Sequence, residues 1–250
     1  MGSKIIRTEK LFKVLLGLVI LLFPFSLFFV VSGLLPASWN VSASIVIALQ
    51  ALLLLAWMAE QQPPVLAFRN FCLVLVVAFG VEYAGVSLGI PFGSYRYTTT
   101  LGAVFLGVPV VIPLAWYANA ASSLGVARCL FSRTAHPLAT GLAGACLVAS
   151  FDIVLEPAAS FIHHYWIWQE NRIPWVNYLS WFSLALIIIL FLRQQEFSNS
   201  PTFNFTPGLV YGMQWSLFAL SDLAHGFAIP VILSLFLLTI ILILGRKMAL

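Results

Sequence analysis

Apolar residues run along this chain in blocks of 17 to 25, separated by short breaks that are polar or marked by proline. A membrane crossing takes about 20 apolar residues. The pattern therefore predicts eight transmembrane helices, over 14–35, 41–59, 65–89, 104–127, 137–161, 177–193, 208–224 and 227–245. Pro36, Pro63-Pro64, Pro91, Pro137, Pro174 and Pro207 fall at or near the predicted ends, where a missing backbone donor does least harm. Lys4, Arg7, Lys10 and Lys13 precede the first block and a cleavage-like Val41-Ser42-Ala43 follows it. Leu15 to Leu35 is nevertheless longer than the roughly 7–15 apolar residues of a signal peptide, so it is read as the first span. The longest connections, 90–103, 162–176 and 194–207, are too short to fold alone. The expected fold is all-α: a polytopic transmembrane helix bundle of about eight spans, with 1–250 as a single integral membrane domain.

Composition agrees. The chain is 62% hydrophobic and 8% charged, with a mean hydropathy of +1.03, whereas soluble domains carry about 25% charged residues. A net charge of +4 is too small and too scattered for nucleic-acid binding, and no nucleic-acid partner is expected. The cations read as loop asymmetry instead. Lys4, Arg7, Lys10, Lys13, Arg69, Arg128, Arg133, Arg193, Arg246 and Lys247 share one side of the predicted bundle, ten of the twelve, with Arg96 and Arg172 opposite. By the positive-inside rule both termini are cytoplasmic, in what is expected to be the cell membrane. Cys72, Cys129 and Cys146 lie in apolar blocks without metal-ligand spacing and read as packed thiols.

The polar exceptions carry the chemistry. Phe151-Asp152-Ile153-Val154-Leu155-Glu156-Pro157 puts two acids four residues apart, on one helical face, just before a proline. Acids in a membrane are costly, and each marks a functional-site hypothesis. Two on one apolar face cannot both ionise cheaply, so one is expected to hold its proton, as a general acid must. Glu82 lies in Gly80-Val81-Glu82-Tyr83-Ala84-Gly85, ahead of Gly89-Ile90-Pro91-Phe92-Gly93-Ser94-Tyr95-Arg96-Tyr97. One reading pairs it with Arg96; the glycines and prolines also fit a tight interfacial turn that aims Tyr95 and Tyr97 back at the bundle. The predicted orientation puts Glu82, Asp152, Glu156 and Asp222 towards the non-cytoplasmic side, together with the 90–103 and 162–176 loops.

Trp166, Trp168, Trp175 and Trp181 read either as an interfacial belt or as faces lining a pocket where positive charge develops, with Trp116 and Tyr117 deeper. His163-His164, being adjacent, do not converge on a metal, and neither a nucleotide loop nor a haem motif is present, so no cofactor and no metal are expected. Glu82, Asp152 and Asp222 recur every seventy residues, but their flanks differ, and the spacing is read as coincidence. Asp222 and His225 receive no role.

The ordered string Glu82-x-x-Gly85-x-x-x-Gly89-x-Pro91-Phe92-Gly93-x-Tyr95-x-Tyr97, then Leu101-Gly102, Val108-Pro109 and Pro113-Leu114-Ala115-Trp116, resembles the membrane proteins of carotenoid biosynthesis. So does Asp152-x-x-x-Glu156-Pro157, Trp166-x-Trp168 and Pro174-x-x-Asn177-x-x-x-Trp181. The family is that of carotenoid 1,2-hydratases of the γ-carotene 1′-hydroxylase and bisanhydrobacterioruberin hydratase type, and the resemblance covers about 80–181. It departs at Arg172-Ile173-Pro174, where the family carries a glycine-containing turn.

The resemblance implies a hydro-lyase-type carotenoid hydratase. Such an enzyme adds water, without a cofactor, to the terminal double bond of an acyclic lycopene- or γ-carotene-like end group. Asp152 or Glu156 would be the acid and Glu82 the group orienting water. Tyr95, Tyr97, Trp116, Trp166, Trp168, Asn177 and Trp181 would bind a hydrophobic substrate arriving from the bilayer, with other carotenoid-pathway enzymes as partners. The alternatives are a proton-coupled transporter, an intramembrane prenyltransferase and a structural carotenoid-binding protein.

Overall fold

Eight α-helices make up most of the chain, which a computed structural model describes over residues 2–34, 41–131, 136–193 and 205–249, with side chains over 9–34, 41–131, 136–193 and 205–245. They are α1 (Gly2–Ser32), α2 (Ser42–Gln61), α3 (Pro64–Leu88), α4 (Ile112–Leu130), α5 (Pro137–Pro157), α6 (Trp175–Arg193), α7 (Thr206–Ala224) and α8 (Ala228–Ala249). Four short strands join them: β1 (Tyr95–Tyr97), β2 (Val104–Phe105), β3 (Val108–Pro109) and β4 (Trp166–Trp168). Arg133 lies outside the described residues, as do the side chains of Lys4, Arg7, Arg246 and Lys247.

The expected polytopic all-α bundle is what forms. Six helices are long and apolar enough to cross a membrane by length and composition: α1, α2, α3, α5, α6 and α8. α4 and α7 are more polar, carrying Asn119, Ser122, Ser123 and Arg128, and Gln214, Ser216, Ser221 and Asp222. Their place in the bundle accounts for this. α4 packs on α2, α3, α5, α6, α7 and α8, and 13 of its 19 residues are buried, so protein rather than lipid surrounds most of its surface. Its run Ala118-Asn119-Ala120-Ala121-Ser122-Ser123 is small enough for backbones to approach closely on several sides. Polar side chains brace the other contacts. Gln214 donates to Gln50 across 2.9 Å, the Tyr211 hydroxyl to the Leu147 carbonyl across 2.9 Å, and the Trp215 indole to Ser234 across 2.7 Å.

The fourth predicted span is corrected. The helix begins at Ile112 rather than 104, because 104–109 is a β-hairpin, β2 pairing antiparallel with β3. Leu106 and Gly107 both have positive φ, 49° and 84°, the backbone that a two-residue hairpin turn requires. A short apolar run does not distinguish a strand from a helix by its pattern, and this one continued into a true helix. Pro157 is the last α-helical residue of α5, and a π-helical turn, Ala158–Ile162, leads out towards β4.

Candidate functional site

Two loops separated by some seventy residues build one ribbon. β1 and β4 pair antiparallel, Tyr95 opposite Trp168 and Tyr97 opposite Trp166. Further backbone bonds from Gln169 to Ser94 and from Thr98 to Tyr165, both 3.0 Å, extend the pairing at each end. Strand side chains alternate, so Tyr95, Tyr97, Trp166 and Trp168 share the inward face, while Arg96 lies exposed on the other. This alternation is why Glu82 is not Arg96's ion-pair partner. The four rings pack on one another, Tyr95 on Trp168 at 5.1 Å and Tyr97 on Trp166 at 5.9 Å between centroids.

Each half of the ribbon holds one buried carboxylate. The Tyr95 and Tyr97 hydroxyls donate to Glu82 Oε2 at 2.5 and 2.7 Å, and the Trp116 indole of α4 donates to Glu82 Oε1 at 2.8 Å. The Trp166 and Trp168 indoles donate to Glu156 Oε2 at 3.2 and 3.0 Å, and Asn177 of α6 donates to Glu156 Oε1 at 2.9 Å. Burying an ionised carboxylate costs several kcal/mol. Three neutral donors satisfy the oxygens of each glutamate and offset part of that cost. Outside the spans, burial foremost and then the charge on Glu82 hold the Tyr95 and Tyr97 hydroxyls far above the ordinary tyrosine range, so both remain donors at any working pH.

Asp152 stands one helical turn before Glu156, wholly buried. Asn177 joins the two acids, its amide nitrogen reaching Asp152 Oδ2 at 3.3 Å as well as Glu156. Asp152 Oδ1 has no hydrogen-bond partner among the described residues.

Glu82 and Glu156 both face a cavity of about 480 Å³, inside the roughly 300–1,000 Å³ usual for small-molecule sites. Tyr95, Tyr97, Trp116, Trp166, Trp168, Asn177 and Trp181 line it too, so the structure gathers nine of the ten residues singled out from the sequence. Asp152, the tenth, sits behind this wall rather than in it. Trp116 and Trp181 stack with centroids 4.1 Å apart, presenting π faces beside the acids. Away from the acids the cavity is apolar, bounded by Leu22, Phe25 and Phe29 of α1, Ile45 and Ile47 of α2, and Leu217 and Phe218 of α7. Phe25 and Ile45 are 60% and 53% exposed, so the cavity reaches the lipid-facing surface.

Those three helices were missed as contributors, as were Asn119, Gln50 and Gln214 on the same wall. These amides within apolar runs of α2, α4 and α7 were the available signal; α1 carries none. The histidines are engaged locally: His163 Nε2 lies 3.0 Å from Ser221 Oγ, and His164 Nδ1 lies 3.0 Å from the Ser160 carbonyl. Among the described residues no three His, Cys, Asp or Glu side chains are grouped to hold a metal. Trp175 is 76% exposed at the start of α6, consistent with an interfacial belt residue.

Close approach explains Gly85, a member of the motif. A Cβ there would fall 2.8 Å from the Tyr95 hydroxyl oxygen and 3.0 Å from the Phe92 ring. Gly85→Ala is therefore expected to push Tyr95 off Glu82. It should quench or shift the emission of the packed ribbon tryptophans and reduce activity at least tenfold, by roughly 1.4 kcal/mol or more of lost transition-state stabilisation. Wild-type emission and activity in that variant would disprove the packing account.

Fold and site together define an intramembrane helix bundle with two aromatic-clamped carboxylates facing an apolar, lipid-accessible chamber. The family described as carotenoid biosynthesis protein matches residues 40–241, and the chain belongs to it. The match takes in α2 to most of α8, wider than the 80–181 core that the motifs outline. Bisanhydrobacterioruberin hydratase of Haloarcula japonica is 30% identical over 118 residues, 45% of this chain and 40% of that protein. The chain thus spans less than half the length of that curated relative. No solved structure matches.

Proposed function

We propose that the protein hydrates the terminal carbon–carbon double bond of an acyclic carotenoid end group to a tertiary alcohol by acid catalysis, without a cofactor. The observation that carries this reading is that Glu82 and Glu156, each clamped by neutral aromatic donors, face one apolar chamber. Hydration is redox-neutral and needs a proton donor, a stabilised cation and a water held against a base. Glu156 serves as the donor. Its Oε2 accepts both indole N–H bonds and its Oε1 only the bond from Asn177, so the second lone pair of Oε1 is the place for the proton.

The proton passes from Glu156 to the less substituted alkene carbon, and the π electrons of the double bond form the new C–H bond. The tertiary cation that remains lies among the Trp116, Trp181, Trp166 and Trp168 rings, whose π faces attract positive charge. Water adds to the cation and gives its proton to Glu82, whose two tyrosine donors and one indole donor hold the carboxylate in place. The low dielectric of the chamber strengthens each of these interactions. Asp152, one helical turn away and bonded to the same Asn177 amide, is the neighbouring acid from which the donor is reset. An apolar mouth at Phe25 and Ile45 suits a hydrocarbon arriving through the bilayer, with the long polyene left in lipid. The family and the hydratase relative point the same way.

Expression in hosts that accumulate lycopene or γ-carotene tests the reading. The expected product carries a tertiary hydroxyl on an acyclic end, formed equally well in membranes treated with a chelator. Unchanged pigment from well-folded wild-type protein supplied with both substrates would overturn it, and loss of product with the chelator would favour diphosphate chemistry.

A further inference from the structure

Three amides interrupt the apolar part of the chamber wall, one from each of three helices that pack on one another: Gln50 of α2, Asn119 of α4 and Gln214 of α7. The mechanism above does not use them. All three are buried, and only part of their hydrogen-bonding capacity is taken up. Gln214 Nε2 donates to Gln50 Oε1 at 2.9 Å, and Asn119 Oδ1 accepts from Ser123 Oγ at 3.3 Å. Gln214 Oε1 and Asn119 Nδ2 have no hydrogen-bond partner among the described residues. The two are complementary, since one is an acceptor and the other a donor. Unpaired polar atoms inside a protein are rare and costly, and ordered water is a common partner for those that protein groups leave open.

We propose that Gln50, Asn119 and Gln214 form the site that holds the water consumed in the reaction. The proposal rests on the hydration reading, which requires a water inside a chamber otherwise bounded largely by hydrocarbon and rings. A water oxygen accepts from Asn119 Nδ2 while one of its O–H bonds donates to Gln214 Oε1. Buried waters typically make about three hydrogen bonds. The side-chain NH2 of Gln50 supplies the third, because its bond to Gln214 occupies only the oxygen. Placement on α4 connects the site to the chemistry. Ile112, Ala115, Trp116 and Asn119 line the chamber from one face of that helix, where residues three apart have Cβ atoms about 5–6 Å from each other. Asn119 is thus one turn beyond Trp116, the ring that donates to Glu82 and stacks on Trp181. A water on the amides waits in the chamber where the cation forms. Its oxygen lone pair then makes the C–O bond and one of its protons passes to Glu82, while the amides change no bond of their own.

The test uses full-length protein in liposomes made up in D2O, with the carotenoid that the wild type converts. Asn119→Leu removes the open donor. The double variant Gln50→Leu/Gln214→Leu removes the amide pair together, so that neither partner is left behind unpaired. Each should lower kcat for hydration about tenfold, the effect of one hydrogen bond at the strong end of the usual range, with KM for the carotenoid unchanged. Glu156 still protonates the double bond in these variants, so the recovered alkene should gain deuterium above the wild-type level. A role in packing alone would lower hydration and labelling together, and that result overturns the water site. Wild-type kcat and labelling in both variants would overturn it too, with hydration left standing. So would a raised KM without extra label, which would make the amides readers of the carotenoid itself. If Asn119→Leu does not accumulate, the double variant decides by the same comparison. An inactive wild type would overturn hydration itself, and the water site with it.

Discussion

Glu156→Gln is expected to reduce turnover roughly 10²–10⁴-fold, the range for loss of a positioned general acid, while leaving the protein in the membrane at normal yield. The amide is isosteric, and its carbonyl oxygen can accept the two indole N–H bonds that now reach Oε2. Asn177 can turn its own amide to accept from the new NH2 group, so the clamp survives and only the proton is lost. Asp152→Asn should be milder, because Asp152 stands behind the chamber wall and resets the donor rather than meeting the substrate. Comparing kcat for the two variants checks this order. A slower Asp152→Asn than Glu156→Gln would move the donor role to Asp152.

Glu82→Gln is expected to cost a similar factor, again roughly 10²–10⁴-fold, but to fail differently. With the donor pair intact, the double bond is still protonated. With no base to take the proton from water, the cation more often returns a proton to Glu156 than it captures water. In D2O the recovered alkene should therefore gain deuterium at the protonated carbon in Glu82→Gln, and stay unlabelled in Glu156→Gln. Mass spectrometry of the recovered carotenoid distinguishes the two, and the opposite labelling pattern would exchange the roles of the glutamates. Both variants need a check by thermal unfolding, since each glutamate also anchors half of the ribbon.

Much of this was legible in the chain, and for identifiable reasons. Lipid imposes a length on every crossing, so the apolar blocks located all eight helices, and only the starts of α1, at Gly2, and α4, at Ile112, lie well away from the block edges. Rare acids in those blocks drew attention because burial makes them costly, and Glu82 and Glu156 proved to face one chamber. The i, i+2 spacing of Tyr95-x-Tyr97 and Trp166-x-Trp168 fits one face of an extended segment, although the first pair was read as part of a turn and the second as an interfacial belt or pocket lining. That the two pairs hydrogen-bond into one ribbon was not legible, because strand pairing between distant loops leaves no local mark.

The hairpin at 104–109 was hidden for the opposite reason, its residues being apolar enough to continue the next helix. The contribution of α1, α2 and α7 to the chamber was equally invisible. Leu22, Phe25, Ile45 and Leu217 are the residues any lipid-facing helix carries, and only packing shows that they border a cavity. Asp152 shows a finer limit. Spacing put it on the same face as Glu156, but one helical turn separates a side chain in the chamber from one behind it.

The ribbon has a consequence for how the protein comes to be made. Tyr95, Tyr97 and Trp116 all precede α5, so the Glu82 clamp can form once α4 is in place, whereas the Glu156 clamp waits until five helices have been threaded and the chain has returned to the loop before α6. Asn177, the third donor to Glu156, comes only with α6 itself. Until that loop arrives, Glu156 lies in a half-built bundle without its partners, while Glu82 can already have its own. A nascent chain halted before Trp166 would carry an orphaned Glu156 in lipid, the kind of defect by which membrane quality control distinguishes unfinished proteins from finished ones.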